Sequence, residues 1–170
     1  VEQIARAARQ AHIPIRIGVN SGSLSRRRHA SYADNLVASA LGYARLFEKL
    51  KFYDLVISLK GSDIIETVDA YRQISRLCDY PLHLGVTATG LPQQGVVKTS
   101  IAVGALLLDG IGDTIRVSLT GNPVEEVKAA KMILAALRLR NFGPEIISCP
   151  TCGRCEVDLL GLVKKLEALL

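Results

Sequence analysis

Two groups of residues in this chain have types and spacings that chemistry uses. The first is Cys149-Pro150-Thr151-Cys152-Gly153-Arg154-Cys155, three thiols within seven residues. In an intracellular chain a C-x2-C-x2-C run is more often a set of soft-metal ligands than a disulfide. Part of an iron–sulfur motif has this spacing, and so does half of a zinc site; either needs a fourth ligand that the stretch does not supply. A Cys–His nucleophile is the weaker reading, with His12 and His29 read as surface residues. Cys78 stands alone and reads as a small buried hydrophobe.

The second group is cationic. Arg16, Lys60, His83 and Arg116 each sit in one copy of a repeated six-residue segment: Ile15–Asn20, Leu55–Lys60, Leu82–Thr87 and Ile115–Thr120. Places one, three and five are always large aliphatics, and place four is always Gly or Ser. Alternation with period two reads as a strand with one apolar face. The other face then carries Arg16, Gly18 and Asn20; Ser58 and Lys60; His83, Gly85 and Thr87; Arg116, Ser118 and Thr120. Like charges gathered away from water repel and are costly to desolvate unless an opposite charge joins them. No strand segment supplies an inward acid. A phosphate fits, because Arg offers a two-pronged donor and Lys a point charge. Carboxylates from outside these segments are the alternative. Lys98, Thr99 and Ser100, read as the opening of a helix after the Gly90–Gly95 loop, are a weaker candidate for a second anion contact, balanced by an exposed lysine.

The elements that must position these residues follow from the spacing. The repeats start 40, 27 and 33 residues apart, room for one helix in each gap. Tyr32–Leu50, Asp63–Leu77 and Val96–Leu108 have helical apolar patterns. Asn122-Pro123 followed by Glu125 and Glu126 marks a helix start that runs to about Leu139. Four βα units predict a parallel sheet with its helices outside. A sheet covered on both faces would be apolar on both, so the polar face points to the inside of a barrel. A full (β/α)8 barrel takes about 250 residues and eight units; four units predict a half-barrel with two open edges. From Gly143 the character changes. Glu145–Ser148 reads as a fifth short strand and Glu156–Leu170 as a last amphipathic helix, together the opening βα unit of a second domain. The expected division is 1–142 and 143–170.

Composition excludes several classes. The 170 residues are 49% apolar and 22% charged, a globular mix that argues against disorder. Lys+Arg outnumber Asp+Glu by 21 to 16, a net +5. Much of the excess is the Arg26-Arg27-Arg28-His29 run, read as a solvated loop. Eight aromatics and no nucleic-acid motif argue against a nucleic-acid partner. The longest apolar run, Ile101–Leu108, is too short for a membrane span. No secretory leader pattern opens the chain, which predicts a cytoplasmic protein. The first residue is Val, with a helical pattern already under way, as expected of an internal fragment.

Several segments together resemble one family. Ile13–Leu24, Val56–Lys60, Pro81–Thr87, Gly110-Ile-Gly-Asp-Thr-Ile-Arg-Val-Ser-Leu119 and Ser148-Cys-Pro-Thr-Cys-Gly-Arg154 are similar, in order, to the bacterial hydroxymethylbutenyl diphosphate synthases (the IspG or GcpE family). The resemblance implies a (β/α)8 barrel followed by a small domain holding a 4Fe–4S cluster, with this chain carrying the last four barrel units and the start of the cluster domain. It implies a reductive ring-opening dehydroxylation of methylerythritol cyclodiphosphate to hydroxymethylbutenyl diphosphate on the methylerythritol phosphate route to isoprenoids. Ferredoxin or flavodoxin would supply two electrons. By position, Asn20, Lys60, Arg116 and Ser118 would hold the diphosphate with His83 nearby, and Cys149 and Cys152 would bind cluster iron. The remaining cysteine and glutamate ligands belong to a segment not in this chain. The full protein would be a homodimer, one subunit's cluster domain capping the other's barrel, and the fragment alone would be inactive.

Two departures from the family pattern stand out. Ala88 occupies a place where the family has a glutamate, which leaves the catalytic acid unassigned. Cys155 occupies a place where the family often has a polar residue, and reads as a bystander thiol. A non-catalytic phosphate-binding or zinc-stapled barrel fragment is therefore the alternative function.

Overall fold

The structure is a computed structural model that describes residues 1–20, 31–87 and 90–169. The Arg26–His29 run and Ala88 lie outside the described residues. The elements run α1 (Glu2–Ala11), β1 (Ile15–Asn20), α2 (Tyr32–Lys49), β2 (Leu55–Lys60), α3 (Ile64–Ile74), β3 (His83–Leu84), α4 (Pro92–Leu108), β4 (Thr114–Ile115), α5 (Pro123–Ala136) and α6 (Leu159–Glu167).

Local chemistry sets most of the helix starts. Ser31 and Asp34 form a reciprocal capping box on α2, at 3.0 and 3.1 Å. Asp63 accepts from the Glu66 amide at the start of α3, and the Glu66 carboxylate accepts from the Ala33 amide, so one cap ties α3 to α2. Asn122 caps α5, with Pro123 in the first turn, and Glu126 accepts from the Leu119 amide at 2.8 Å.

The strands are parallel. β1 and β2 pair from Ile15↔Leu55 to Asn20↔Lys60, and β3 and β4 pair through His83↔Thr114 and Leu84↔Ile115. A single bridge, Ile57↔Leu82, joins the two ladders, which gives the spatial order β1–β2–β3–β4. The expected aliphatic row is the core. Ile17, Val19, Ile57, Leu59, Leu82, Leu84, Val86 and Val117 are buried with Leu36 and Ala40 of α2, Val68 and Ile74 of α3, Val103 and Leu106 of α4, and Ile133 of α5. Burying each large aliphatic contributes about 1.5–3 kcal/mol, so the alternation itself decides which face meets the helices.

The third and fourth repeats form shorter strands than their sequences predict. Tyr71 of α3 explains the first. At the β2–β3 pairing offset the Leu59 amide should donate to the His83 carbonyl. The Tyr71 hydroxyl stands between them instead, accepting from Leu59 N at 2.9 Å and donating to the His83 carbonyl. One phenol thus replaces one ladder bond, and the strands rejoin above it through Thr87 N to the Gly61 carbonyl at 3.0 Å. Beyond β4 the pairing continues as one bond, Arg116 N to the Leu84 carbonyl at 2.9 Å.

Three further expectations are corrected. α4 opens at Pro92, with Pro in its first turn, rather than at Val96, so Lys98, Thr99 and Ser100 lie inside the helix and not at its positive end. Thr99 is fully buried. Residues 145–148 are not a strand: they are exposed for the most part and pair with no other described segment. The last helix covers Leu159–Glu167 only, started by the Asp158 side chain on the Gly161 amide at 3.0 Å. No described helix is long and apolar enough to cross a membrane.

Candidate functional site

Strand register arranges the polar face in rows. Gly18, Ser58, His83 and Thr114 share one row. Continuing the same offsets, Asn20, Lys60, Gly85 and Arg116 share the next row toward the carboxyl ends. Gly85 is what admits Arg116: a Cβ there would stand 3.0 Å from the Arg116 carbonyl and 3.6 Å from its Cβ. Arg16 projects from the foot of β1 on the same face, where Gly18 leaves open space above it.

The foot of β4 fixes the height of this row. Gly112 has φ +118° and lies against Leu84, whose Cγ would be 2.7 Å from a Cβ at that position. Asp113 then accepts from the Leu82 amide at 2.7 Å, while its own amide donates to the Leu82 carbonyl at 2.9 Å. Thr114 meets His83 Nδ1 through its hydroxyl at 2.8 Å. The acid of the Gly-Ile-Gly-Asp-Thr motif is therefore a backbone clamp.

The face is electropositive, with no carboxylate paired to its cations among the described residues. Among the described residues the ion pairs are Arg72–Asp109 at 2.8 Å and Lys128–Glu125 at 2.9 Å, between exposed side chains, and Arg16, Lys60 and Arg116 take part in neither. Among the described residues Arg116 reaches the Val86 carbonyl, at 3.5 Å, and its buried Nε has no partner. Burial, then the charges of Arg116 and Arg16, lower the Lys60 pKa from the usual lysine value. His83 is 9% exposed, and its Nε2 is buried without a partner. Burial first, then Arg16, Lys60 and Arg116, hold its imidazole down at about 4. Asn20 is exposed and Ser118 half-buried at the carboxyl end of the same face; Thr87 bonds the Gly61 carbonyl, and Thr120 is exposed.

The cysteines are placed differently. Cys149 and Cys152 are exposed and Cys155 is half-buried. The Cys155 amide donates to the Cys152 carbonyl at 2.9 Å and its thiol to the Val157 carbonyl at 3.3 Å. Cys149 borders a hollow of about 340 Å³ lined by Ser148, Pro150, Thr151, Leu159, Leu160 and Val163. Thiols are donors of the right class for an iron–sulfur cluster, but among the described residues no three His, Cys, Asp or Glu side chains converge as a metal site. The residues present fit part of a ligand set. Cys78 is half-buried with its thiol on the Ile74 carbonyl at 3.6 Å, and burial raises its pKa.

Sequence reasoning missed Tyr71, Asp113 and Thr114 as the parts that hold this face. A tyrosine within an aliphatic helix stripe that packs on two strands was the available signal for the first.

Residues 1–131 match the GcpE TIM-barrel domain. The chain belongs to the GcpE family. The GcpE chain is 57% identical over 171 residues to a Fusobacterium nucleatum protein named 4-hydroxy-3-methylbut-2-en-1-yl diphosphate synthase (flavodoxin), covering 98% of this chain and 48% of that protein. Proteins of the same name from Clostridium tetani and Geobacter sulfurreducens are 50% and 48% identical, again over 98% of this chain and 49% and 48% of theirs. The GcpE chain thus spans about half the length of the curated relatives it matches.

Proposed function

We propose that this chain forms the anion-binding half of a flavodoxin-dependent 4-hydroxy-3-methylbut-2-en-1-yl diphosphate synthase, the enzyme its relatives are named for. The observation that carries the reading is the shared face on which Arg16, Lys60 and Arg116 have no carboxylate partner among the described residues. The reaction would open methylerythritol cyclodiphosphate and remove one hydroxyl as water, consuming two electrons and two protons. Arg116 and Lys60, in one row with Gly85 between them, would hold the diphosphate, with Asn20 at the end of that row, Ser118 toward the carboxyl end and His83 one row below. Arg116 offers its fork of donors, and Lys60 a point charge whose desolvation the diphosphate would offset. Cys149 and Cys152 would hold part of a 4Fe–4S cluster, which supplies the electrons when bound; ligands outside this chain would complete it. The four βα units would be half of the barrel, residues from 143 onward the start of the cluster domain, and the working protein a cytoplasmic homodimer.

The test uses the full-length protein made without oxygen. Cyclodiphosphate and reduced flavodoxin should give the linear diphosphate, from a brown protein that loses colour in air. A colourless protein with stoichiometric zinc and no turnover would remove the reading and favour the zinc-stapled alternative.

A further inference from the structure

His83 occupies the middle row of the cationic face with one ring nitrogen engaged and the other idle. Nδ1 meets the Thr114 hydroxyl at 2.8 Å, and the buried Nε2 has no partner among the described residues. The charged groups that act on it come from three elements: Arg16 of β1, Lys60 of β2 and Arg116 beyond β4. No carboxylate among the described residues acts on it. Asp113, at the foot of β4, spends its carboxylate on the Leu82 amide, and the Tyr71 hydroxyl of α3 is turned to the His83 carbonyl rather than to the ring.

A buried imidazole facing three cations gains nothing from a fourth charge. An oxyanion among those cations reverses the balance, since it cancels their field and offers the idle nitrogen an acceptor. We propose that His83 couples anion binding to proton uptake: when a phosphate-class oxyanion settles among Arg16, Lys60 and Arg116, the imidazole takes one proton from water and donates an N–H to the anion from Nε2. This rests on the phosphate reading of the face. The balance is neutral imidazole, one solvent proton and one oxyanion giving an imidazolium–oxyanion pair, with no bond to carbon or phosphorus made or broken.

The consequence is reciprocal. If binding brings a proton, acid must tighten binding, by about tenfold per pH unit between the free and bound pKa values. The free value is about 4. Burial is the larger cause of that low value and persists in the complex; the anion's charge and its acceptor at Nε2 offset it as well as the cationic field, and raise the bound value toward the ordinary histidine range, roughly 6.5. The window is therefore below neutrality.

Sulfate is the probe, because it does not itself titrate there. Calorimetry of sulfate binding to the full-length protein, in two buffers of different ionisation enthalpy between pH 5.5 and 7, counts protons taken up. Uptake should approach one per sulfate at the acid end and fall toward zero at the neutral end. H83Q should take up none, and its sulfate affinity should no longer rise in acid. The His83 ring-nitrogen resonances, followed by NMR with and without sulfate, read the same proton in the unaltered protein. Sulfate binding without uptake, or uptake that survives in H83Q, would overturn the coupling alone. Absence of sulfate binding would overturn the phosphate reading with it.

Discussion

The cationic face and the cysteine segment are built by different means. On the face, Arg16, Lys60 and His83 hang from strands whose register is set by paired backbone, Arg116 follows β4 on one further ladder bond, and a buried core lies directly beneath. Lys60 follows fully buried Leu59, and Arg116 precedes buried Val117. In the cysteine segment one turn bond links Cys152 and Cys155, the following helix α6 buries none of its residues, and no strand pairing is found among its described residues. A rigid array of like charges is costly and persists because the core underneath holds it. The lesson is that the gathering of cations in this chain is a property of its topology, whereas thiol placement is a local property of the segment.

That contrast can be broken most decisively at the thiols. In the full-length protein, Cys149→Ser or Cys152→Ser should abolish bound iron and visible absorbance while leaving sulfate affinity within about twofold. Joint loss of iron and sulfate binding would show that the two regions are not separable. Arg116→Met is the converse. It should raise KM for the cyclodiphosphate by about 100-fold, the loss of a charged contact in a desolvated site, with an unchanged cluster spectrum. Unaltered kinetics would remove Arg116 from the site.

The next effects fall on stability. Gly112→Ala places a Cβ into Leu84 at a φ of +118°, and should cost about 3 kcal/mol in the denaturant midpoint. Tyr71→Phe leaves the Leu59 amide and the His83 carbonyl without the hydroxyl between them, and should cost about 2 kcal/mol. The last expected effect is in pH. The folded His83 titrates at about 4, below its unfolded value of roughly 6.5. Between those values the unfolded chain binds the proton and the folded chain does not, so stability falls as pH drops through the window. H83Q should flatten that slope in denaturation curves taken at pH 4.5 to 7.

Much of the fold was legible because alternation and capping are local. The aliphatic row of all four repeats, the Asn122–Pro123 start, and the absence of an inward acid on the strands needed no tertiary information. The shortness of β3 was not legible, because it depends on Tyr71 arriving from a helix to replace a ladder bond. The true start of α4 was hidden by Gln93, Gln94 and Gly95, which carry no apolar period and were read as loop. Glu145–Ser148 has the β-branched pair Ile146-Ile147 that strands favour, but a strand exists only where another offers it hydrogen bonds. For the site, the sequence gathered Lys60, His83 and Arg116 on one face by parity; which of them shared a row required the Ile57↔Leu82 offset. The departure at Ala88 falls outside the described residues.

The anchoring beneath β4 has a wider implication. Gly112 wedged on Leu84 and Asp113 gripping the Leu82 amide set the elevation of the Arg116 guanidinium from below, as a footing sets a lintel. A descendant of this protein that came to favour a shorter or longer anion would have no need to exchange its arginine. Altering the 110–113 bend would raise or lower the same cation, so if the face binds an anion as proposed, its selectivity would drift through positions that never meet that anion.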